Sequence, residues 1–374
     1  MHFNPRVTSL TCFSCNEPHQ LHELQTVCKK CGLPLRVDYD LRGAKLALSA
    51  SSPPTMWRYA EVLPIALFDA VSLSEGFTPL VSCNDPQVLI KDESRNPTGS
   101  FKARGLCMAV SLARALGAKA LAAPSAGNAA GALAAYGAAA GLPVTVAMPD
   151  DTPLAFIEEC RLYGAEVKLV KGSIADAGKY LRENGPPGAF DVSTLKEPYR
   201  IEGKKTMAYE LYEQLQGKLP EIILYPTGGG TGLVGMWKAF NELESMGLIG
   251  PARPRFVSIQ TAGCAPVVKA FVAGAEKTEP WANPHTAVYG LRVPSPIGGF
   301  LCLRALRETH GTAVAVPEEE IGKATRDLAR RSGVDICPEG GAAWAALATL
   351  RASGFVKPSD RVVLFNTGTG LKYR

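Results

Sequence analysis

From residue 78 onward the chain alternates short apolar runs with segments whose apolar positions recur at helical spacing. Gln87–Lys91 predicts a strand, Gly105–Leu116 a helix, Ala118–Ala123 a strand, Asn128–Ala140 a helix and Pro143–Met148 a buried strand. The pattern continues with a helix at Leu154–Tyr163, a strand at Glu166–Val170 and a helix at Ser173–Glu183. Then come helix Thr206–Gln216, strand Glu221–Tyr225, helix Leu233–Leu243 and strand Arg255–Gln260. Helices Glu318–Arg331 and Ala342–Leu350 and strand Arg361–Asn366 close the series. Such alternation builds βαβ units, and therefore parallel sheets covered by helices on both faces. The expected fold class is α/β, and 374 residues leave room for two domains of roughly 100–200 residues each. The Ser49–Pro54 stretch reads as a linker or irregular crossing, and no internal repeat is visible.

Composition narrows the partners. The net charge of +5 is small and its bases and acids are interspersed, which argues against nucleic acid or an anionic membrane as the main partner. The N-terminal MHFNPRVTSLTCFSC has no apolar core of a signal peptide. The most apolar stretch, 121–148, is mostly Ala and Gly and is interrupted by Ser125, Asn128 and Pro143. A soluble, cytoplasmic protein is expected.

Ten cysteines change the picture at one end only. Cys12-x-x-Cys15 and Cys28-x-x-Cys31 are separated by twelve residues, whereas the other six are scattered singly, as reduced thiols usually are. Two such pairs joined by a short hairpin offer four thiolates to one Zn²⁺ and close its tetrahedral shell. A segment this short has too little apolar surface for its own core, so metal binding would supply most of its folding energy. A redox pair is the alternative, but redox pairs come singly and precede a helix. His19 and His22 lie between the pairs and could replace a cysteine, which a full Cys₄ set makes unnecessary.

Three strand-to-helix turns carry the candidate chemistry, where α/β folds place their ligands. Asn96-Pro-Thr-Gly-Ser-Phe-Lys102-Ala-Arg-Gly105 puts a lysine in the first turn of a helix. The positive end of the helix dipole there favours the neutral, nucleophilic amine. Tyr225-Pro-Thr-Gly228-Gly229-Gly230-Thr231-Gly232 packs four glycines into five residues ahead of a helix. Its amides and the Thr231 hydroxyl can cradle a phosphate. It lacks the Gly-Lys-Ser/Thr ending of a nucleotide loop. Pro124-Ser125-Ala-Gly-Asn128-Ala-Ala-Gly131 offers amides and the Asn128 side chain for a carboxylate and a ring hydroxyl, though Asn128 also fits a helix N-cap.

Together, Ser100-Phe-Lys102 with Arg104-Gly105, Gly127-Asn128 and the Gly228–Gly232 loop resemble the fold-type-II pyridoxal-phosphate enzymes, the tryptophan-synthase-β-like superfamily. Within it, the threonine synthases are resembled by three segments: Asn96–Lys102, Pro198-Tyr-Arg200-Ile-Glu-Gly-Lys-Lys-Thr206, and Asn366-Thr367-Gly-Thr-Gly-Leu-Lys372. An N-terminal Cys₄ ribbon also occurs in one branch of that family and in cysteate synthases. The resemblance implies two doubly wound parallel-sheet domains with the cofactor between them, plus a small zinc ribbon. It divides the chain into a ribbon at 1–40, a larger cofactor-binding domain at 41–104 and 205–374, and a smaller mobile domain at 105–204. By the same resemblance Lys102 bonds covalently to the cofactor and then serves as the proton-transferring base, and Asn128 hydrogen-bonds the pyridoxal 3′-oxygen. The Gly228–Gly232 amides would hold the cofactor phosphate, and Thr367, or Thr369 if the alignment slips, would face the pyridine nitrogen. A hydroxyl there leaves the ring a milder electron sink than a carboxylate would. Arg200 would grip the phosphate of O-phosphohomoserine, with Ser125 a further substrate contact.

Two positions depart from the threonine-synthase pattern: Ala103, where an acid is usual, and Ala129, where a threonine is common. The expected activity is conversion of O-phospho-L-homoserine and water to L-threonine and phosphate, by γ-elimination and β-addition. A serine/threonine dehydratase or another β-replacing enzyme such as a cysteate synthase is the rival. A zinc-ribbon module on a dead enzyme body is the reading from another class. The expected partner is a small amino-acid substrate, and the expected assembly a homodimer.

Overall fold

Ile222–Pro226, Val144–Pro149 and Val362–Asn366 are almost wholly apolar and every residue in them is buried. Strands of that kind belong in the middle of parallel sheets. The computed structural model describes residues 3–49 and 51–374. Met1, His2 and Ala50, the last within the expected linker, lie outside the described residues. The strands are β1 (Val7–Cys12), β2 (Pro18–His19), β3 (Leu35–Tyr39), β4 (Leu80–Cys83), β5 (Asp85–Asp92), β6 (Leu121–Pro124) and β7 (Val144–Pro149). They continue as β8 (Glu166–Val170), β9 (Phe190–Asp191), β10 (Ile222–Pro226), β11 (Arg255–Thr261), β12 (Thr312–Val316) and β13 (Val362–Asn366). The helices are α1 (Lys102–Ala115), α2 (Asn128–Ala140), α3 (Leu154–Leu162), α4 (Ile174–Asn184) and α5 (Arg200–Gln214). After them come α6 (Thr231–Ser245), α7 (Pro266–Val272), α8 (Gly299–Glu308), α9 (Glu318–Ser332) and α10 (Pro338–Ala352).

The chain packs as two compact units, 1–77 with 96–206, and 78–95 with 207–374. Residues 41–77 and 96–104 thus pack with the first unit, and the ribbon does too.

In the first unit a parallel sheet runs in the order β8-β7-β6-β9. The N-terminal segment is a separate antiparallel sheet, β2-β1-β3. Its inner face is not independent: Leu10, Cys12, Cys28, Leu35 and Val37 are continuous with a core that includes Trp57, Leu106 and Val110. Each large side chain so buried contributes about 1.5–3 kcal/mol. Glu75 sits inside this core as a fully buried carboxylate, which Trp57 Nε1 (2.7 Å), Ser72 Oγ (2.9 Å) and Tyr136 Oη (2.5 Å) satisfy.

In the second unit the sheet order is β12-β11-β10-β13-β5-β4, parallel except for the edge strand β4. Ile222 faces Val362 and Leu224 faces Leu364 in register. The carboxyl ends of β10 and β13 therefore emerge side by side, as ligand-binding edges of α/β sheets do. Among the described residues no helix is long and apolar enough to cross a membrane.

Most predicted elements lie within a few residues of their expected places. The exception that matters is α5, which begins at Arg200 rather than Thr206. Glu197 holds that start in place: its carboxylate accepts from the amides of Tyr199 (2.7 Å) and Arg200 (3.0 Å). The turn therefore caps a helix N-terminus six residues ahead of the expected start.

Candidate active site

Lys102 is the first residue of α1, half-buried, and its Nζ lies 4.1 Å from the centre of the Phe101 ring. The preceding turn is fixed by Asn96, whose Oδ1 accepts from Gly76 N at 3.0 Å and whose carbonyl accepts from Gly99 N at 2.9 Å. Helix α2 packs along α1 and against the Pro97–Gly99 turn. That brings the Ser125–Asn128 turn to the neighbourhood of the lysine within the same unit. Asn128 is the first residue inside α2, and Gly127, not Asn128, occupies the cap. Ser125 is half-buried, its amide donating to Ala147 O at 3.0 Å.

Helix α5 crosses the start of α1 at two glycines. A Cβ on Gly203 would collide with the carbonyl of Arg104, and one on Gly105 would lie 2.9 Å from Lys204 Cε and 3.0 Å from Arg200 O. This close crossing sets the first turns of α5 against the helix that Lys102 begins. Arg200 is buried and donates through Nη1 to Val192 O at 2.9 Å. Desolvation lowers its pKa, opposed by the charges of Glu197 and Asp191. Among the described residues it makes no ion pair with Glu202. Glu202 instead binds Lys205 Nζ (2.7 Å) and Tyr39 Oη (2.7 Å), and both Glu202 and Lys205 are fully buried. Residues 202 and 205 face the ribbon strand β3, while 200, 203 and 204 face α1, as three- and four-residue spacing on a helix requires.

The second unit supplies a cradle made from backbone. The Gly228–Gly232 loop follows β10, a strand in the interior of its sheet, and leads into α6. Gly230 has φ +81° and caps the helix, a conformation that favours glycine. A side chain at Gly228 would meet the carbonyl of Gly290, one at Gly230 the sulfur of Cys302, and one at Gly232 the Tyr225 hydroxyl. At these three positions room exists only for bare backbone, and the N-terminus of a fifteen-residue helix attracts an anion to it. These residues fit the phosphate of a pyridoxal cofactor.

Beside that loop, Thr367 follows β13 and is buried, its Oγ1 3.7 Å from Cys337 Sγ. The Asn366 amide pins this strand end, accepting from Cys337 N at 3.0 Å and donating to Asp92 at 2.9 Å. Thr369 is occupied elsewhere: its hydroxyl donates to Asp335 at 2.5 Å and accepts from Leu371 N at 3.2 Å.

In the ribbon, the sulfurs of Cys12, Cys15, Cys28 and Cys31 all lie within 4.8 Å of one another, a cluster that could hold a metal ion. The two knuckles match. Cys12 Sγ accepts from Ser14 N and Cys28 Sγ from Lys30 N, each at 3.4 Å. Each ends in a left-handed residue, Asn16 (φ 57°) and Gly32 (φ 71°), the two residue types that reach this region most readily. Four sulfurs brought together by opposed turns fit the closed shell of a structural zinc ion. Neither His19 nor His22 belongs to the cluster.

A lysine opening a helix, a neighbouring Asn turn and a glycine cradle at the carboxyl edge of a parallel sheet define a class. Residues 71–368 match the family described as pyridoxal-phosphate dependent enzyme, and the chain belongs to that family. It is 35% identical to the threonine synthase of Methanosarcina acetivorans, over 97% of this chain and 92% of the relative. It is 33% identical to that of Methanocaldococcus jannaschii, over 96% of this chain and 92% of the relative. Maize serine racemase shares the fold, with a TM-score of 0.66 and 23% identity over 79% of this chain and 88% of that one.

Proposed function

We propose that the chain is a pyridoxal-phosphate-dependent threonine synthase, converting O-phospho-L-homoserine and water to L-threonine and phosphate. The observation that carries this reading is Arg200, a buried guanidinium on a helix that crosses the start of the Lys102 helix. A dianionic phosphate is its natural ligand. When bound, the cofactor supplies an electron sink for negative charge at the substrate's α-carbon.

Lys102 would hold the cofactor through its amine and would move the proton at the substrate's Cα. The Gly228–Gly232 amides and the Thr231 hydroxyl hold the cofactor phosphate, Asn128 binds its 3′-oxygen, and Ser125 contacts the substrate. Thr367 would be the hydroxyl toward the pyridine nitrogen. The engagement of Thr369 with Asp335 supports that choice. Arg200 binds the phosphate that leaves. The Cys₄ cluster holds a structural Zn²⁺. A larger cofactor-binding part formed by 41–104 and 205–374, a smaller mobile part at 105–204, a homodimer and a cytoplasmic location complete the proposal.

Ala103 counts little toward the dehydratase alternative. It is fully buried in the core of the first unit, where an apolar residue is a packing choice. The test is a steady-state comparison of O-phosphohomoserine, threonine, serine and O-phosphoserine on the cofactor-loaded protein. Phosphate and threonine in equal amounts from the first substrate support the proposal; a 2-oxo acid from threonine or serine, with no turnover of the first, refutes it.

A further inference from the structure

Strand β11 lies in the interior of its sheet, between β10 and β12, and near its carboxyl end carries a long amide, Gln260, that is fully buried. A buried amide needs partners for both of its ends. Gln260 Oε1 accepts from the amides of Val267 (2.8 Å) and Val268 (3.2 Å), the first N–H groups of α7 after Pro266, which has none. Two donors on one end fix which way the amide is turned. Nε2 is left to donate, and it does so to the carbonyl of Thr227 at 3.0 Å. Thr227 joins β10 to the glycine loop. It is fully buried, its N–H donates to Ile259 O at 2.8 Å and its hydroxyl to Tyr225 O at 2.9 Å. The peptide that follows it is trans, so its C=O and N–H point in opposite directions. With the Thr227 carbonyl held by Gln260, the Gly228 N–H is turned to the other side of the loop. The amides of Gly228, Gly229 and Gly230 donate to no backbone carbonyl among the described residues, although Gly228 and Gly230 are buried. Buried donors of that kind call for an acceptor from outside the loop.

We infer that Gln260 is a positioning residue for the phosphate cradle, one that aims the Gly228 amide by holding the carbonyl in front of it. This rests on the reading that the Gly228–Gly232 loop holds the cofactor phosphate. Glycine on the far side of the Thr227–Gly228 peptide offers little resistance to rotation of that plane, so a partner for the carbonyl is what fixes it. The chemistry selects the residue. The position needs an acceptor toward α7 and a donor toward the loop on one planar group, and glutamine supplies both. Glutamate keeps the acceptor and, when ionised, loses the donor; methionine, of similar length and uncharged, loses both. Through this one side chain the first turn of α7 and the entrance to the glycine loop are held together.

The experiment titrates the full chain, stripped of cofactor, with pyridoxal 5′-phosphate and with pyridoxal, which lacks the phosphate. Wild type, Gln260→Glu and Gln260→Met are compared. The ratio of the two dissociation constants reads the cradle alone, because the ring and its aldehyde are common to both ligands. In both variants pyridoxal 5′-phosphate should bind about 10-fold more weakly, the loss of one well-aimed hydrogen bond to a charged group, while pyridoxal binds as it does to wild type. Equal weakening of both ligands would make Gln260 merely structural and overturn the inference. So would a selective loss in Gln260→Glu that Gln260→Met does not share, since that is the mark of the introduced charge. Gln260→Met carries the test alone if Gln260→Glu fails to fold. A ratio unchanged from wild type overturns the inference and leaves the cradle reading intact. A wild type that binds pyridoxal 5′-phosphate no more tightly than pyridoxal overturns both.

Discussion

The two candidate phosphate sites solve one problem with opposite materials. The glycine loop of the second unit would recognise an anion with backbone, and its specificity would be steric: side chains are excluded at Gly228, Gly230 and Gly232. The Arg200 face of the first unit would use a buried guanidinium, and its specificity would be electrostatic. A permanent cofactor suits the first device, since amides do not titrate and cost nothing to desolvate anew. A phosphate that must arrive and leave at each turnover suits the second, because a guanidinium fork holds an anion by charge and hydrogen bonds alone.

The largest effect expected from breaking this comparison comes from the amine beside the second device. Lys102→Ala should reduce turnover at least ~10³-fold with an unchanged melting temperature, as loss of a covalent anchor and proton carrier requires. Borohydride reduction followed by peptide mapping checks it, since the cofactor label should move from Lys102 to no residue. Next is the steric cradle. Gly228→Ala pushes a methyl group against the Gly290 carbonyl, which cannot rotate away. The expected cost is about 1–3 kcal/mol of stability, together with weaker cofactor retention on dialysis. Arg200→Ala should lower kcat/KM for O-phosphohomoserine by roughly one to two decades. Retention of cofactor in that variant, against its loss in Gly228→Ala, separates the two devices.

The ribbon gives a subtler test. Because its inner face is part of the first unit's core and Tyr39 reaches Glu202, Cys12→Ser with Cys28→Ser should do more than release one metal ion. The melting temperature of the whole chain should fall, because the ribbon's fold, which a bound metal would stabilise, is tied to that core. Zinc analysis alongside calorimetry reads both. Smallest is a pH effect. Burial outweighs the Arg200 charge and lifts the Glu197 carboxyl from 4.5 to about 7. The folded state therefore holds this proton more tightly than the unfolded one, so its stability contribution falls as pH rises from about 4.5 to about 7. Glu197→Gln should flatten that part of the stability profile.

How legible this was in the sequence differs along the chain. The glycine loop, the cysteine pairs and the buried strands announce themselves by local composition, and the structure places them as expected. The start of α5 does not. The sequence predicts that helix only from Thr206, whereas the structure begins it at Arg200. With its first six residues outside the helix, the four-residue spacing of Arg200 and Lys204 and the three-residue spacing of Glu202 and Lys205 carry no meaning. Glu197 restores the cap, and Gly203 serves a close crossing rather than a break. The Tyr39–Glu202 contact joins residues 163 positions apart, which no local pattern encodes.

The measurement that bears most directly on the central claim is product stoichiometry. Cofactor-loaded protein given O-phospho-L-homoserine should yield inorganic phosphate and L-threonine in equal amounts, with no ammonia. Ammonia and a 2-oxo acid from threonine or serine, with O-phosphohomoserine left unconsumed, would contradict it.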